Sequence, residues 1–127
     1  MTLLSQKIHS AVPVIGTDNI EKSLKYYIEV LGFTLDFKYG DPPVYAGVKS
    51  GEAEIYLTND PHLAKGIKES KLVPEVFIWV SDAESLFKDH INKGAEIVEP
   101  LSDRPWGARQ YVVREINGYH IKFAQPQ

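Results

Sequence analysis

The 127-residue sequence contains no cysteine, and it carries no surplus of positive charge. The absence of cysteine excludes disulfide frameworks, thiolate nucleophiles and thiolate metal sites. The formal net charge is -3 and the pI is about 5.8, whereas a protein that binds nucleic acid needs basic residues to neutralise phosphates. Nucleic acid is therefore not an expected partner.

Long apolar runs are also missing. No stretch approaches the length of a membrane span, and the first ten residues, MTLLSQKIHS, lack the apolar centre of a signal peptide. We therefore expect a cytoplasmic protein with no membrane partner. The segment GVKSGEA does not meet the requirements of a phosphate-binding loop.

What remains is the composition of an ordinary globular protein, with 43% hydrophobic and 24% charged residues. A chain of this length usually forms one domain. Two segments repeat the same order of elements, which predicts a βαβββ module over 8–58, a linker over 59–73 and a second βαβββ module over 74–125.

Each module begins with a strand and an amphipathic helix. In TDNIEKSLKYYIEVLG, the predicted N-cap is Asp18 and the helix ends at Gly32; in SDAESLFKDHINKG, Ser81 and Glu84 form a capping box and Gly94 marks the end. Three strands follow each helix, and the predicted segments are FTLDFKY, VYAGVKS and AEIYLT, then AEIVEPL, ARQYVVRE and YHIKFAQ.

Neither module can bury both faces of its sheet alone, so the two sheets are expected to pair around a shared cavity. The sequence predicts an α+β fold in which two βαβββ modules pair into a barrel-like mixed sheet that forms a cleft.

The repeat, the helix NIEKSLKYYIEVLGF and the final NGYHIKF resemble the vicinal-oxygen-chelate superfamily of glyoxalases, dioxygenases and bleomycin-resistance proteins. The segments SAVPVIGTDN, LGFTLDF, YAGV and PWGARQYVVREINGYHIKF are most similar to the bleomycin-resistance binding proteins. That resemblance implies binding of a drug without a cofactor, in contrast to the metal-dependent enzymes of the superfamily.

The resemblance also identifies the four positions where the enzymes of the superfamily place metal ligands. They fall on Val12 (or Ala11), Tyr56, Glu75 and Lys122. Only Glu75 is a good ligand, and the lysine would repel a metal. No metal site is therefore expected.

The four histidines show no HxH or HxxxH spacing that would form a site elsewhere. We expect His120 to point away from the strand face that carries Lys122, as an ordinary surface or interface histidine.

Aromatic residues are the predicted lining of the cavity, because flat rings stack on planar ligands and attract cations. By resemblance, Trp106 of the PWG loop and Tyr45 contact the ligand, with Phe37 nearby. Trp79 belongs either to the core or to the ligand site, and Tyr56 fills space with a hydroxyl available to the ligand. The predicted ligand-binding set is Phe37, Tyr45, Tyr56, Trp79, Trp106 and Glu75.

Four glutamates in or near strands raise the alternative of acid–base catalysis. The sequence shows neither a raised pKa nor a substrate within reach of them. Glu52 and Glu54 share one strand face, which is typical of a solvated surface. No catalytic residue is assigned.

Pro13 cannot donate to a sheet ladder and therefore belongs at an edge, a start or a bulge. In the bleomycin-resistance proteins the AVPV strand crosses to a second subunit, so the resemblance implies a homodimer in which the strand at Pro13 is exchanged.

The function implied is sequestration of a bleomycin-type antibiotic. The alternatives are a divalent-metal glyoxalase-like or dioxygenase-like enzyme, and a binder of an unrelated hydrophobic metabolite.

Overall fold

The computed structural model describes residues 7–127, which form two four-stranded sheets and three helices. In the first module, β1 (Val14–Thr17) leads to helix α1 (Ile20–Glu29), β2 (Thr34–Tyr39), β3 (Tyr45–Ser50) and β4 (Ala53–Asn59). Helix α2 (Pro61–Glu69) connects the modules. The second module consists of β5 (Glu75–Trp79), α3 (Ala83–Asn92), β6 (Glu96–Arg104), β7 (Ala108–Arg114) and β8 (His120–Pro126).

The two sheets have the same topology. Their strand orders are β1-β4-β3-β2 and β5-β8-β7-β6. In each sheet the module's first and last strands pair in parallel, and the other pairs are antiparallel. The predicted α+β fold of two βαβββ modules is confirmed, although neither sheet closes into a barrel.

Helix starts are fixed by capping side chains that accept backbone hydrogen bonds. Asn19 caps α1, and Asp82 caps α3. The predicted caps Asp18 and Ser81 are each wrong by one residue, because two neighbouring polar residues compete for the position. The predicted linker contains helix α2, which Asp60 caps.

Alternation between two environments is visible in β4, whereas β7 is buried on both faces from Gln110 to Val113. In β4, Ile55 and Leu57 are buried while Tyr56 is only partly covered. We call the buried face of each sheet the helix side, because α1 and α3 pack there, and the opposite face the open side. Phe37, Tyr45 and Tyr56 lie on the open side of the first sheet, and Phe77, Gln110 and Lys122 on that of the second.

One hydrophobic core spans both modules on the helix side. It includes Ile15, Tyr27 and Leu57 of the first module and Tyr111 and Ile121 of the second. No helix in the part of the chain that the structure describes is long and apolar enough to span a bilayer.

A buried carboxylate also joins the modules on the helix side. Glu115 accepts hydrogen bonds from Tyr27 Oη at 2.6 Å, from the backbone N–H groups of Asn117 and Tyr119 at 2.6 and 3.1 Å, and from Asn117 Nδ2 at 3.2 Å. Burial raises the pKa of Glu115, while these donors act in the opposite direction.

His90 forms a second buried connection. Its Nε2 lies 3.1 Å from the carbonyl oxygen of Leu31, and its Nδ1 lies 2.8 Å from Tyr111 Oη. A carbonyl can only accept, so Nε2 carries the hydrogen and Nδ1 accepts from the tyrosine. Burial lowers the pKa of His90, which favours the neutral ring in which Nδ1 is the acceptor.

Candidate functional site

Three aromatic rings meet on the open side of the first sheet. The ring centroid of Phe37 in β2 lies 6.1 Å from that of Tyr45 in β3 and 5.3 Å from that of Tyr56 in β4. The centroids of the two tyrosines are 5.8 Å apart. The register explains the contact, because Phe37 is paired with Gly47 and Gly47 with Tyr56. The predicted ligand residues Phe37, Tyr45 and Tyr56 are thus brought together, and we call them the aromatic cluster.

Gly47 allows the aromatic cluster to form. A Cβ built on this residue would lie 2.8 Å from Phe37 Cδ1, closer than real Cβ contacts. The Phe37 ring therefore rests directly on the backbone of β3. A larger side chain at position 47 would occupy the space that the Phe37 ring fills.

Charged residues border the aromatic cluster. Lys49 Nζ lies 3.3 Å from Asp36 Oδ1, and Glu54 faces Asp36. The contact with Asp36 raises the pKa of Glu54, whereas hydrogen bonding with Glu54 and then Lys49 lowers that of Asp36. Coulombic repulsion from Glu54 raises the pKa of Tyr56, which keeps its phenol protonated.

The four positions implied for metal ligands occupy equivalent places in the two sheets. Val14 pairs with Tyr56, and Phe77 pairs with Lys122. Val12 and Glu75 each lie two residues before the first member of these pairs.

At those positions the side chains do not suit a metal ion. Glu75 Oε2 lies 2.7 Å from Lys122 Nζ, so a lysine already neutralises the one carboxylate of the set. Val12 has no donor atom, and Tyr56 belongs to the aromatic cluster. No group of three or more His, Cys, Asp or Glu side chains suited to a metal ion exists within residues 7–127. The residues present therefore do not fit the metal of the superfamily's enzymes.

The open side of the second sheet also presents aromatic residues. Trp79 is 61% exposed, and its ring lies 4.8 Å from that of Phe77. This exposure rules out the core position that the sequence left open for Trp79. Phe77 was not predicted as a site residue, although it has the same parity as Glu75 and Trp79 in β5.

Trp106 lies in the turn between β6 and β7, where Gly107 takes a φ of 88°. Its side chain is 66% exposed, and no other aromatic ring of residues 7–127 packs against it. The structure therefore brings the predicted residues together in two groups, with Trp106 apart from both.

A groove of about 290 Å³ lies between β4 of the first sheet and β5 of the second. Glu54 of β4 and Phe77 and Trp79 of β5 line it, together with Ala11 and Pro13. The carbonyl of Pro13 accepts a hydrogen bond from Tyr56 N at 3.0 Å, and β1 then pairs with β4 of the same chain. Residues 7–11 are exposed, with Ile8 at 78%.

Polar residues of the second sheet are the part of the site that sequence reasoning missed. Arg104, Gln110 and His120 all lie on its open side. The prediction that His120 points away from the face of Lys122 is wrong, because residues two apart in a strand share a face. The period-two pattern of ARQYVVRE was the available signal for Gln110.

Comparison with known structures supports this architecture. The crystal structure of TioX from Micromonospora sp. ML1 matches with a TM-score of 0.77 and 26% identity, over 91% of this chain and 97% of that one. A bleomycin-binding protein from Streptomyces verticillus, complexed with copper(II)-bleomycin, matches with a TM-score of 0.75 and 20% identity, over 94% and 98%. The bleomycin resistance determinant encoded on the transposon Tn5 has a TM-score of 0.75 and 14% identity, over 94% and 99%.

At 20% and 14% identity, the last two likenesses show the fold alone. No curated protein matches the chain by sequence. The model of the Glyoxalase/Bleomycin resistance protein/Dioxygenase superfamily matches residues 7–123, and the chain therefore belongs to that superfamily.

Proposed function

We propose that the chain binds a bulky planar molecule on its open side and confers drug resistance by sequestering it. Binding requires no metal and leaves the molecule chemically unchanged. A bleomycin-type antibiotic is the ligand class to test first. The observation that carries the proposal is the aromatic cluster, in which Phe37 rests on Gly47 beside Tyr45 and Tyr56. Ring faces grouped in this way suit stacking, with about 0.5 to 2 kcal/mol for each good contact.

The charges nearby favour a ligand that carries a cation. Two carboxylates, Asp36 and Glu54, border the aromatic cluster, and one cation, Lys49, lies 3.3 Å from Asp36 Oδ1. An aspartate is ionised at neutral pH, and hydrogen bonding with Glu54 and Lys49 lowers the pKa of Asp36 further. A cationic group of a ligand stacked on Tyr45 or Tyr56 would therefore find a negative partner.

The proposal includes a cytoplasmic homodimer. The segment that leads to Pro13 would cross to the second subunit, since residues 7–11 are exposed and the groove beside Pro13 runs between β4 and β5. Trp106 and the aromatic cluster, apart in one chain, would then contribute to one pocket from two subunits.

Titration of tryptophan fluorescence with metal-free bleomycin tests this function. We expect saturable quenching for the wild type, and about two- to thirtyfold weaker binding for Tyr45→Ala and Trp106→Ala, because each loses one stacking contact of about 0.5 to 2 kcal/mol. Trp79 still reports on binding in Trp106→Ala.

Leu72→Ala is the matched control, because Leu72 is 84% exposed in the segment that links the modules. Its affinity should equal that of the wild type. Absence of quenching in the wild type, or equal losses in Leu72→Ala and Tyr45→Ala, contradicts the proposal.

A further inference from the structure

Buried polar atoms without partners are concentrated on one surface. Within residues 7–127, five buried side-chain polar atoms have no hydrogen-bond partner among those residues. Three of the five, Arg104 Nε, Gln110 Oε1 and His120 Nε2, lie on the open side of the second sheet. Most buried polar groups in proteins are paired, so such a grouping calls for an explanation.

Gln110 is the most informative of the three. Its side chain is in the central part of the sheet, and the residue is only 3% exposed. Gln125, on the neighbouring strand, is the contrasting case, because its Oε1 accepts a hydrogen bond from Ala83 N at 2.9 Å. A buried acceptor that lacks a donor is unfavourable for the folded state.

Arg104 contributes a buried donor without a partner in residues 7–127. Its Nη2 lies 2.9 Å from Glu99 Oε1, which fixes the guanidinium while Nε has no partner in the described chain. Ala108 pairs with Arg104, and Ser102 pairs with Gln110, so Arg104 and Gln110 are diagonal neighbours on one face. An unpaired acceptor and an unpaired donor of the described chain thus lie near each other on one face of the sheet.

Trp79 supplies a flat surface in the same row of the sheet. Ala124 pairs with Gln110 on one side and with Trp79 on the other. Trp79 and Gln110 are therefore two strands apart, about 10 Å, on the open side. A ring stacked on Trp79 can carry a substituent that reaches Gln110.

We propose that Gln110 and Arg104 form a subsite for an amide group of the bound molecule. The amide N–H donates to Gln110 Oε1, and its carbonyl oxygen accepts from Arg104 Nε–H. This inference rests on the proposed function of the open side and names the chemistry that the second sheet recognises: an aromatic ring that carries a carboxamide.

Two probes isolate the amide N–H. We expect 1-naphthamide to bind the wild type at least fivefold more tightly than N,N-dimethyl-1-naphthamide, which has no N–H, in titrations followed by ¹H–¹⁵N NMR. The Gln110 side-chain amide signals should shift with the primary amide. In Gln110→Leu the preference should disappear, and in Gln125→Leu it should persist.

Thermal unfolding separates this role from a structural one. Gln110→Leu removes an unpaired buried acceptor and should raise Tm by about 2 to 5 °C. The same substitution at Gln125 removes a formed hydrogen bond and should lower Tm. A lower Tm for Gln110→Leu, or equal or absent binding of the two probes to the wild type, overturns the subsite.

Bleomycin titration of the same variants distinguishes the two proposals. If the wild type prefers 1-naphthamide but does not bind bleomycin, the proposed antibiotic is wrong and the subsite stands. If bleomycin binds and the naphthamide preference is absent, the subsite alone is wrong.

Discussion

The helix side and the open side of the two sheets satisfy their polar groups very differently. On the helix side, Glu115 has four donors and both nitrogens of His90 have partners. On the open side, Gln110 and Arg104 hold buried atoms that no residue of the described chain satisfies. Three unpaired buried atoms of the described chain thus lie on the open side of the second sheet, against one, Tyr26 Oη of α1, on the helix side.

Hydrophobic residues follow the same division. The rings of Tyr27 and Tyr111 are fully buried on the helix side, whereas Trp79 is 61% exposed on the open side. Exposed aromatic residues and unpaired polar atoms lower stability and increase the capacity to bind. The difference suggests that substitutions on the helix side change unfolding and those on the open side change binding.

Glu115→Ala should produce the largest effect. The substitution leaves Tyr27 Oη and the backbone N–H groups of Asn117 and Tyr119 without their acceptor at the junction of the modules. We expect the free energy of unfolding to fall by about 3 kcal/mol, measured by urea denaturation. Glu52→Ala, at an exposed position, is the control and should change it by less than about 0.5 kcal/mol.

A loss for Glu115→Ala as small as that of Glu52→Ala would show that the junction does not depend on the buried carboxylate. The contrast between the two sides would then lack its main support.

The second prediction concerns pH and His90. Burial lowers the pKa of His90 below its usual value of about 6.5, and charging the ring would leave the hydroxyl hydrogen of Tyr111 without its acceptor. The folded protein thus binds this proton less readily than the unfolded chain. The neutral His90 ring contributes to stability above about pH 6.5, and this contribution is lost as the pH falls. The free energy of unfolding should decrease by at most about 1.4 kcal/mol per pH unit on this account.

Urea denaturation from pH 7.5 to 5.0 measures this slope. The charged groups of α3 beside the ring, Asp89 and Lys93, oppose each other in their effect on the pKa of His90, so burial decides the sign. His90→Gln should remove the His90 part of the slope, while exposed His62→Gln should keep it. An unchanged slope in His90→Gln would show that the ring does not titrate on unfolding.

Much of the fold could be predicted from the sequence, because strands and helices leave periodic patterns. The eight strands were found from alternation and turn residues, and the helices from their apolar stripes. The caps were wrong by one residue, since Asp18 and Asn19 are both good capping residues and only the backbone geometry selects one. Helix α2 was missed because its polar composition outweighed the Asp60-Pro61 start signal.

The candidate site was harder to predict than the fold. The resemblance assigned Phe37 and Tyr56 to the ligand site, but their contact depends on Gly47, whose role becomes clear only when the Phe37 ring is in place. The ion pair between Glu75 and Lys122 depends on the register of β5 and β8. Gln110 was overlooked because the sequence does not show which groups of the folded chain lie close enough to form hydrogen bonds with its side chain.

Lys122→Met should have the smallest effect, and it sharpens the contrast between the two sides. The substitution removes an ion pair 2.7 Å long, yet the Glu75 side chain is 50% exposed and water can replace the lysine. We expect the free energy of unfolding to fall by less than about 1 kcal/mol.

Lys49→Met, which breaks the pair with Asp36 on the first sheet, is the matched control and should behave alike. Urea denaturation at low and high salt measures both, and the difference between wild type and variant should shrink with salt. A loss for Lys122→Met that exceeds about 2 kcal/mol would mean that the open side of the second sheet is held as firmly as the helix side, and the division of roles would then apply to the first sheet only.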